Sequence, residues 1–256
     1  FMYAEQTLIQ LFEQNAKRFV PCLIVRDHPR FAWRGMHLDE SRHFMGKVFV
    51  KKYIDWLFAL KMNVFHWHLT DAQGWRIEIK KYPKLTSVGA SRPDRTGILN
   101  SDADTASVGE PMTYGGFYTQ AEIREIVQYA AKRNITIIPE IEMPGHCQEM
   151  IAAYPELASK DTTTEVMTVW GGTDHILNPF PPTFRFLEKV LDETMALFPS
   201  AYIHVGGDEA MKKHWRKNPR IQKFKDSLKL KNEDELQSWF IQQIDHYLVS
   251  KGRKLM

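Results

Sequence analysis

Two rhythms of hydrophobic and polar positions run along this chain. Residues 6–19 place Leu8, Leu11 and Phe12 at helical spacing and predict an amphipathic helix. A link containing Pro21 and Pro29 follows. From there strand-like and helix-like segments alternate. Residues 31–38, 63–70, 135–141 and 201–206 read as strands. Residues 46–61, 119–133, 183–198 and 233–250 read as helices, with Thr119 as the N-cap of the second. Residues 254–256 begin a fifth strand, while residues 80–118 read mostly as loop.

Such a succession of βα units predicts an α/β fold with a parallel sheet. An open doubly wound sheet and a (β/α)8 TIM barrel both satisfy it. The polar residues favour the barrel. Asp39 and Glu40 follow the first strand, Asp71 the second, Glu142 and His146 the third, and Asp208 and Glu209 the fourth. Four strand ends converging on one polar mouth suit a barrel better than an open sheet. A complete barrel takes eight strands and roughly 250 residues, so the chain is expected to represent about the first half of one.

Composition narrows the partners. The net charge is +3, and Lys and Arg nowhere cluster as a nucleic-acid site requires. The basic run 212–220 is interrupted by His214 and Trp215 and reads as a solvated helix or loop face. No apolar run reaches the roughly 18 residues of a membrane span. Cys22 and Cys147 lack the spacing of a disulfide scaffold or a zinc ribbon. No glycine-rich phosphate loop follows a strand, so no nucleotide cofactor is expected, nor any other. The aromatic share of 12% suits a carbohydrate cleft and an aromatic-rich core alike.

Four constellations carry candidate chemistry. In His204-Val205-Gly206-Gly207-Asp208-Glu209 a strand runs through two glycines into adjacent carboxylates. Like charges at a buried strand end repel and are costly to desolvate; the ordinary explanation is an acidic helix N-terminus. In His66-Trp67-His68-Leu69-Thr70-Asp71 the two histidines share one strand face. They read as hydrogen-bonded core histidines or, with His146, His204 and Asp208, as zinc ligands. Pro139 to His146 forms a rigid turn after a strand and carries Glu140, Glu142 and His146. Arg34, at the first strand, reads either as a planar fork for sugar hydroxyls or as an ion pair with Asp39 or Glu209.

Taken in order, R-G-x-x-L-D-x-S-R (34–42), H-W-H-L-T-D-x-Q-G-W-R (66–76), Y-P-K-L (82–85), I-P-E-I-E-M-P-G-H (138–146) and H-V-G-G-D-E (204–209) resemble family 20 glycoside hydrolases, the β-N-acetylhexosaminidases of bacterial type. The resemblance covers nearly the whole chain. It implies a partial TIM-barrel catalytic domain over residues 31–256, with residues 1–30 as the C-terminal end of a small preceding α/β domain. It implies retaining exo-hydrolysis of terminal β-linked N-acetylglucosamine or N-acetylgalactosamine through an oxazolinium intermediate, with Asp208 and Glu209 as the catalytic pair. Arg34 would bind the sugar, and Asp71 and His146 would form a polar relay beside Glu209. Glu142, where the family usually has Asp, would support Asp208. The family's aromatic pocket walls come from strands after the fourth. No metal is implied, the partner is an N-acetylhexosamine-containing glycan such as a chitin fragment, and a secreted or periplasmic home is usual. The oligomeric state stays open. A non-catalytic sugar-binding fragment and a zinc-dependent barrel hydrolase are the competing readings.

Overall fold

The computed structural model describes residues 2–15, 19–20, 22–93, 113–160 and 164–256. Helix α1 (Met2–Gln14) precedes strand β1 (Gly35–Asp39). Then follow α2 (Gly46–Ala59), β2 (Val64–His68), α3 (Gln120–Ala131), β3 (Thr136–Glu140), α4 (Pro181–Leu197), β4 (Tyr202–Ile203), α5 (Glu233–Ser250) and β5 (Lys254–Leu255). All strand pairings in this series are parallel. Gly35 lies opposite Val64, and Val64 opposite Thr136; a bridge from Glu140 to His204 joins β3 to β4, and Tyr202 lies opposite Lys254.

Each strand thus pairs with the next in sequence, with a helix between. A doubly wound sheet requires a reversal of strand order, and the described strands contain none. The barrel reading holds.

Strand alternation sorts the side chains into two environments. Phe65 and Trp67 of β2, Ile137 of β3, and Ile203 and Val205 at β4 join one hydrophobic core with Val50, Ile54 and Leu57 of α2 and Leu187 and Leu191 of α4. The alternate positions, His66, His68, Glu140 and His204, face the other way and line a cleft. Parallel strands covered on both faces usually read as continuous apolar runs. Here one face is polar because it forms the interior of the barrel mouth.

Helix boundaries follow local chemistry. Thr119 caps α3 through a complete capping box: its hydroxyl accepts from the Glu122 N–H, and the Glu122 carboxylate accepts from the Thr119 N–H. Asn232 caps α5 by accepting from the Glu235 N–H at 2.9 Å.

Several expectations need correction. The first helix covers Met2–Gln14 rather than 6–19. The first strand begins at Gly35 rather than at residue 31, because the Arg34 backbone N–H is taken by the Asn63 side chain rather than by a strand partner. Four short helical pieces were not legible in the sequence: Gln148–Ala153, Pro155–Leu157, Lys213–Lys217 and Pro219–Ser227. The basic run 212–220, read as a solvated helix or loop face, holds one of these short helices and the start of the next, and Trp215 within it is not solvated: it is fully buried and donates its indole N–H to the Leu177 carbonyl. Within residues 80–118 the structure adds a short helix, Lys84–Ser87, and pairs Ser91–Arg92 with Tyr114–Gly115. Residues 94–112, the middle of that expected loop, lie outside the described residues. No helix among the described residues is long and apolar enough to cross a membrane.

Candidate active site

At the C-terminal end of the parallel strands lies a cleft of about 570 Å³. Every residue lining it is polar, charged or glycine, and strands β1–β4 or the loops that follow them all contribute. Among the described residues, a larger cleft of about 1040 Å³ between Tyr82, Phe180 and Arg220 is lined by one carboxylate, Glu156, and by no pair of the groups that acid–base chemistry needs.

The turn after β4 supplies the adjacent acids. Gly206, Gly207 and Glu209 all adopt positive φ, at 64°, 97° and 45°. A β-carbon on Gly206 would meet the Glu142 carboxylate, which would have to shift, while the positive φ itself favours glycine there. Glu209 carries its left-handed backbone without that freedom, a strain that persists only where the surroundings enforce it. The result is that Asp208 and Glu209 project into the cleft with side chains 71% and 66% exposed.

His146, also at positive φ (53°), links this pair to the second strand. Its Nδ1 lies 3.1 Å from Asp71 Oδ1, while its Nε2 lies 3.5 Å from Glu209 Oε2 and 4.0 Å from Asp208 Oδ1. The hydrogen bond to Asp71 raises the His146 pKa against the opposing effect of burial. Asp71 is itself fixed. Its Oδ1 accepts from the Ala72 N–H at 2.6 Å, and its Oδ2 meets the Arg42 guanidinium at 2.6 Å. The structure thus brings Asp71, His146 and Glu209 next to one another in that order.

Arg34 does not join them. It sits before the first residue of β1, at the opposite end of the strand from the cleft. Its guanidinium donates to the carbonyls of Lys61 (2.9 Å) and Phe31 (2.6 Å) and lies over the Tyr3 ring. It does not line the cleft, where the sugar contact was expected, and among the described residues its guanidinium meets backbone carbonyls rather than Asp39 or Glu209. The arginine in the cleft is Arg42, eight residues on, which bridges Asp39 (2.9 Å) and Asp71 (2.6 Å). The same motif carries both arginines, and what distinguishes them is strand position: only Arg42 follows the strand's C-terminal end.

Glu142 is buried, and burial, followed by the nearby Glu140 and Asp71, pushes its pKa up to about 10. It is therefore neutral at physiological pH. Its Oε1 lies 3.5 Å from His68 Nε2, and its Oε2 has no hydrogen-bond partner. Among the described residues it makes no hydrogen bond or ion pair with Asp208. The expected support is at most indirect, through the Gly206 backbone against which Glu142 packs.

The two histidines of β2 part company. His68 turns to Asp71 and Glu142, each at 3.5 Å, and His66 to Glu140 at 2.6 Å. His204 comes together with His66 and Glu140, but His146 and Asp208 do not join them among the described residues, so the single ligand set of the competing zinc reading is not formed. The tryptophans divide as well. Trp67 and Trp75 are core, Trp33 packs edge-on to Tyr202, and Trp170 lies 5.0 Å from the Arg42 guanidinium at the rim. Arg76, fully buried, donates to the carbonyls of Glu40, Ser41 and Ala90, so the end of its motif is structural.

Residues 31–256 match the catalytic domain of glycosyl hydrolase family 20. The chain belongs to this family. It is 42% identical over 99% of its length to a β-hexosaminidase of Porphyromonas gingivalis, of which it covers 32%. A solved β-N-acetylhexosaminidase of Bacteroides fragilis superposes with a TM-score of 0.84 at 42% identity, over the whole of this chain and 47% of that one. The exo-β-N-acetylglucosaminidase of Vibrio harveyi, solved with N-acetylglucosamine, gives 0.77 at 40% identity, over 90% of this chain and 35% of its own. The fold is that of the family's TIM-barrel catalytic domain, and the chain spans about a third to a half of these relatives.

Proposed function

We propose that this chain carries the acid–base half of a retaining exo-β-N-acetylhexosaminidase working by substrate assistance. The observation that carries the reading is the Gly206–Glu209 turn, which presents two consecutive carboxylates to a polar cleft with His146 within 4.0 Å of both. Ordinary retaining glycosidases set two carboxyl groups about 5–5.5 Å apart on opposite sides of the scissile bond; in this family the substrate's own acetamido group takes the nucleophile's part.

In this reading Glu209 protonates the departing glycosidic oxygen and then takes the proton of the attacking water. Asp208 accepts the acetamido N–H, orients the carbonyl oxygen toward the anomeric carbon and offsets the positive charge of the oxazolinium ion. His146 holds Glu209 in place and shares charge with Asp71, which Arg42 and the Ala72 N–H keep oriented. Arg42 and the rim-lying Trp170 form the sugar-facing wall of this half of the cleft. Residues 1–30 are the end of a preceding domain. The substrate class is supported by relatives described as an N,N'-diacetylchitobiase and as a complex with N-acetylglucosamine.

The test is release of nitrophenol from nitrophenyl N-acetyl-β-glucosaminide, with the anomer of the first product read by NMR. Glu209→Gln is expected to lower kcat by about 10²–10⁴-fold, and the wild-type product should emerge as the β-anomer. An α-anomer would overturn the retaining mechanism. Binding of N-acetylglucosamine without any turnover would favour a non-catalytic sugar-binding role.

A further inference from the structure

The turn that carries Asp208 and Glu209 has little to hold it from within. Among the described residues, Gly206 to Met211 make no backbone–backbone hydrogen bond. Two glycines, the residues with the most backbone freedom, stand at its start. Glu209 keeps a φ of 45° that a residue with a side chain ordinarily avoids. Its conformation must therefore be fixed from outside. Of the carbonyls in this stretch, only that of Gly207 accepts a hydrogen bond among the described residues. The donor is Gln237 Nε2 of α5, at 2.5 Å. We infer that Gln237 is a positioning residue for the Asp208–Glu209 pair, acting from outside the cleft through the Gly207 carbonyl. The inference rests on the reading of those two acids as the reacting pair.

One hydrogen bond can do this because a peptide unit is planar. The Gly207 carbonyl and the Asp208 N–H belong to one rigid plane. Holding the carbonyl fixes how that plane is rotated, and with it the direction in which the Asp208 side chain leaves the backbone. Glu209 follows one residue later. Without the donor, glycine on the near side of the plane offers almost no resistance to its rotation. Gln237 does not line the cleft, so its influence on a substrate runs through the turn.

The support is rigid. Phe240, Ile244 and Leu248 of α5 are buried in the main core, so Gln237 projects from a helix that cannot drift. Ile241 lies one helical turn further on, on the same face as Gln237. Its Cδ1 stands 3.5 Å from where a Gly207 β-carbon would be. The loop after β3 closes on the turn as well. A β-carbon on Gly145 would come within 3.0 Å of the Asp208 carbonyl oxygen and 3.2 Å of Ala210 Cα. A second tie from α5 is weaker. Asp234 meets Lys212 at 3.0 Å, but its side chain is 73% exposed, and solvent screens such a pair. The weight falls on the Gln237 amide.

The experiment compares Gln237→Met, which keeps the length and loses the donor, with Gln243→Met, the same change further along α5. In a crystal structure of Gln237→Met the peptide between Gly207 and Asp208 should rotate and Glu209 should leave positive φ. A turn that superposes on the wild type overturns the inference, whatever the activity. The kinetic arm uses two leaving groups. For phenyl N-acetyl-β-glucosaminide, whose departing oxygen needs a proton, kcat/KM should fall about 100-fold. For the dinitrophenyl glycoside, whose oxygen departs without one, it should fall about tenfold or less. Gln243→Met should match the wild type on both. A merely structural loss lowers both substrates by one common factor, and that result also overturns the inference. A wild-type chain that cleaves neither glycoside sinks the hydrolase reading alone, because the crystal comparison still decides whether Gln237 sets the turn.

Discussion

Arg34 and Arg42 belong to one nine-residue motif and end at opposite ends of one strand. The difference is chemical as well as spatial. Arg34 satisfies backbone carbonyls at the strand's start, and Arg42 holds two carboxylates at its finish. Substituting each should therefore fail differently. Arg34→Ala should cost about 1–2 kcal/mol of stability, the worth of its hydrogen bonds, and leave KM unchanged. Arg42→Lys keeps the charge but loses the planar fork that spans Asp39 and Asp71; KM for an aryl N-acetyl-glucosaminide should rise about tenfold or more, with a smaller change in melting temperature. Equal effects on KM would refute the assignment of Arg42 to the cleft. A motif shows which residue types occur together; only the strand boundary at Gly35 tells which of two arginines can reach the site, and boundaries are what sequence patterns give least well.

Among the elements, those with a strong local signal were legible. The helix at 233–250 matches its pattern at both ends, with Asn232 as cap, and Thr119 opens α3 as its capping box requires. The short helices around Trp215 were not, because too few residues remain for a 3.6-residue period to register and their order comes from burying one indole. The turn after β4 lies between these cases. Its two glycines announce a left-handed backbone, but the close approach of Glu142 does not appear in the sequence. That contact makes a pairwise prediction. Gly206→Ala forces its new methyl group into Glu142 at positive φ and should cost about 2–4 kcal/mol in urea unfolding. Glu142→Asp withdraws the carboxyl by one methylene, so the double variant should recover at least about 1 kcal/mol relative to additivity. Strict additivity would show that the strain lies in the backbone alone.

At the scale of the whole molecule, the polar barrel interior sets how stability responds to pH. Aligned strand ends made the cluster of acids and imidazoles legible, but not which of them are neutral, since that depends on burial. Glu40, just past β1, shows the effect most simply. It is fully buried, accepts from the Met45 N–H and the Tyr118 hydroxyl at 2.9 Å each, and leaves Oε1 without a partner. Burial pushes its carboxyl up from 4.5 to about 7, against the smaller help of those donors and Arg76. The native state thus keeps a proton that the unfolded chain releases. The stabilisation from that proton is complete below 4.5 and is lost as pH rises through about 7. The difference corresponds to about 3 kcal/mol. Glu142, pushed up to about 10, extends the same sign to higher pH. Glu40→Gln stays neutral throughout while keeping an acceptor for Met45 and Tyr118. Its unfolding free energy, measured by urea titration on both sides of that window, should exceed that of the wild type above pH 7 by about 3 kcal/mol more than it does below 4.5. Parallel curves for the two proteins would mean that Glu40 is ionised in the folded state and that its buried oxygen has found a donor.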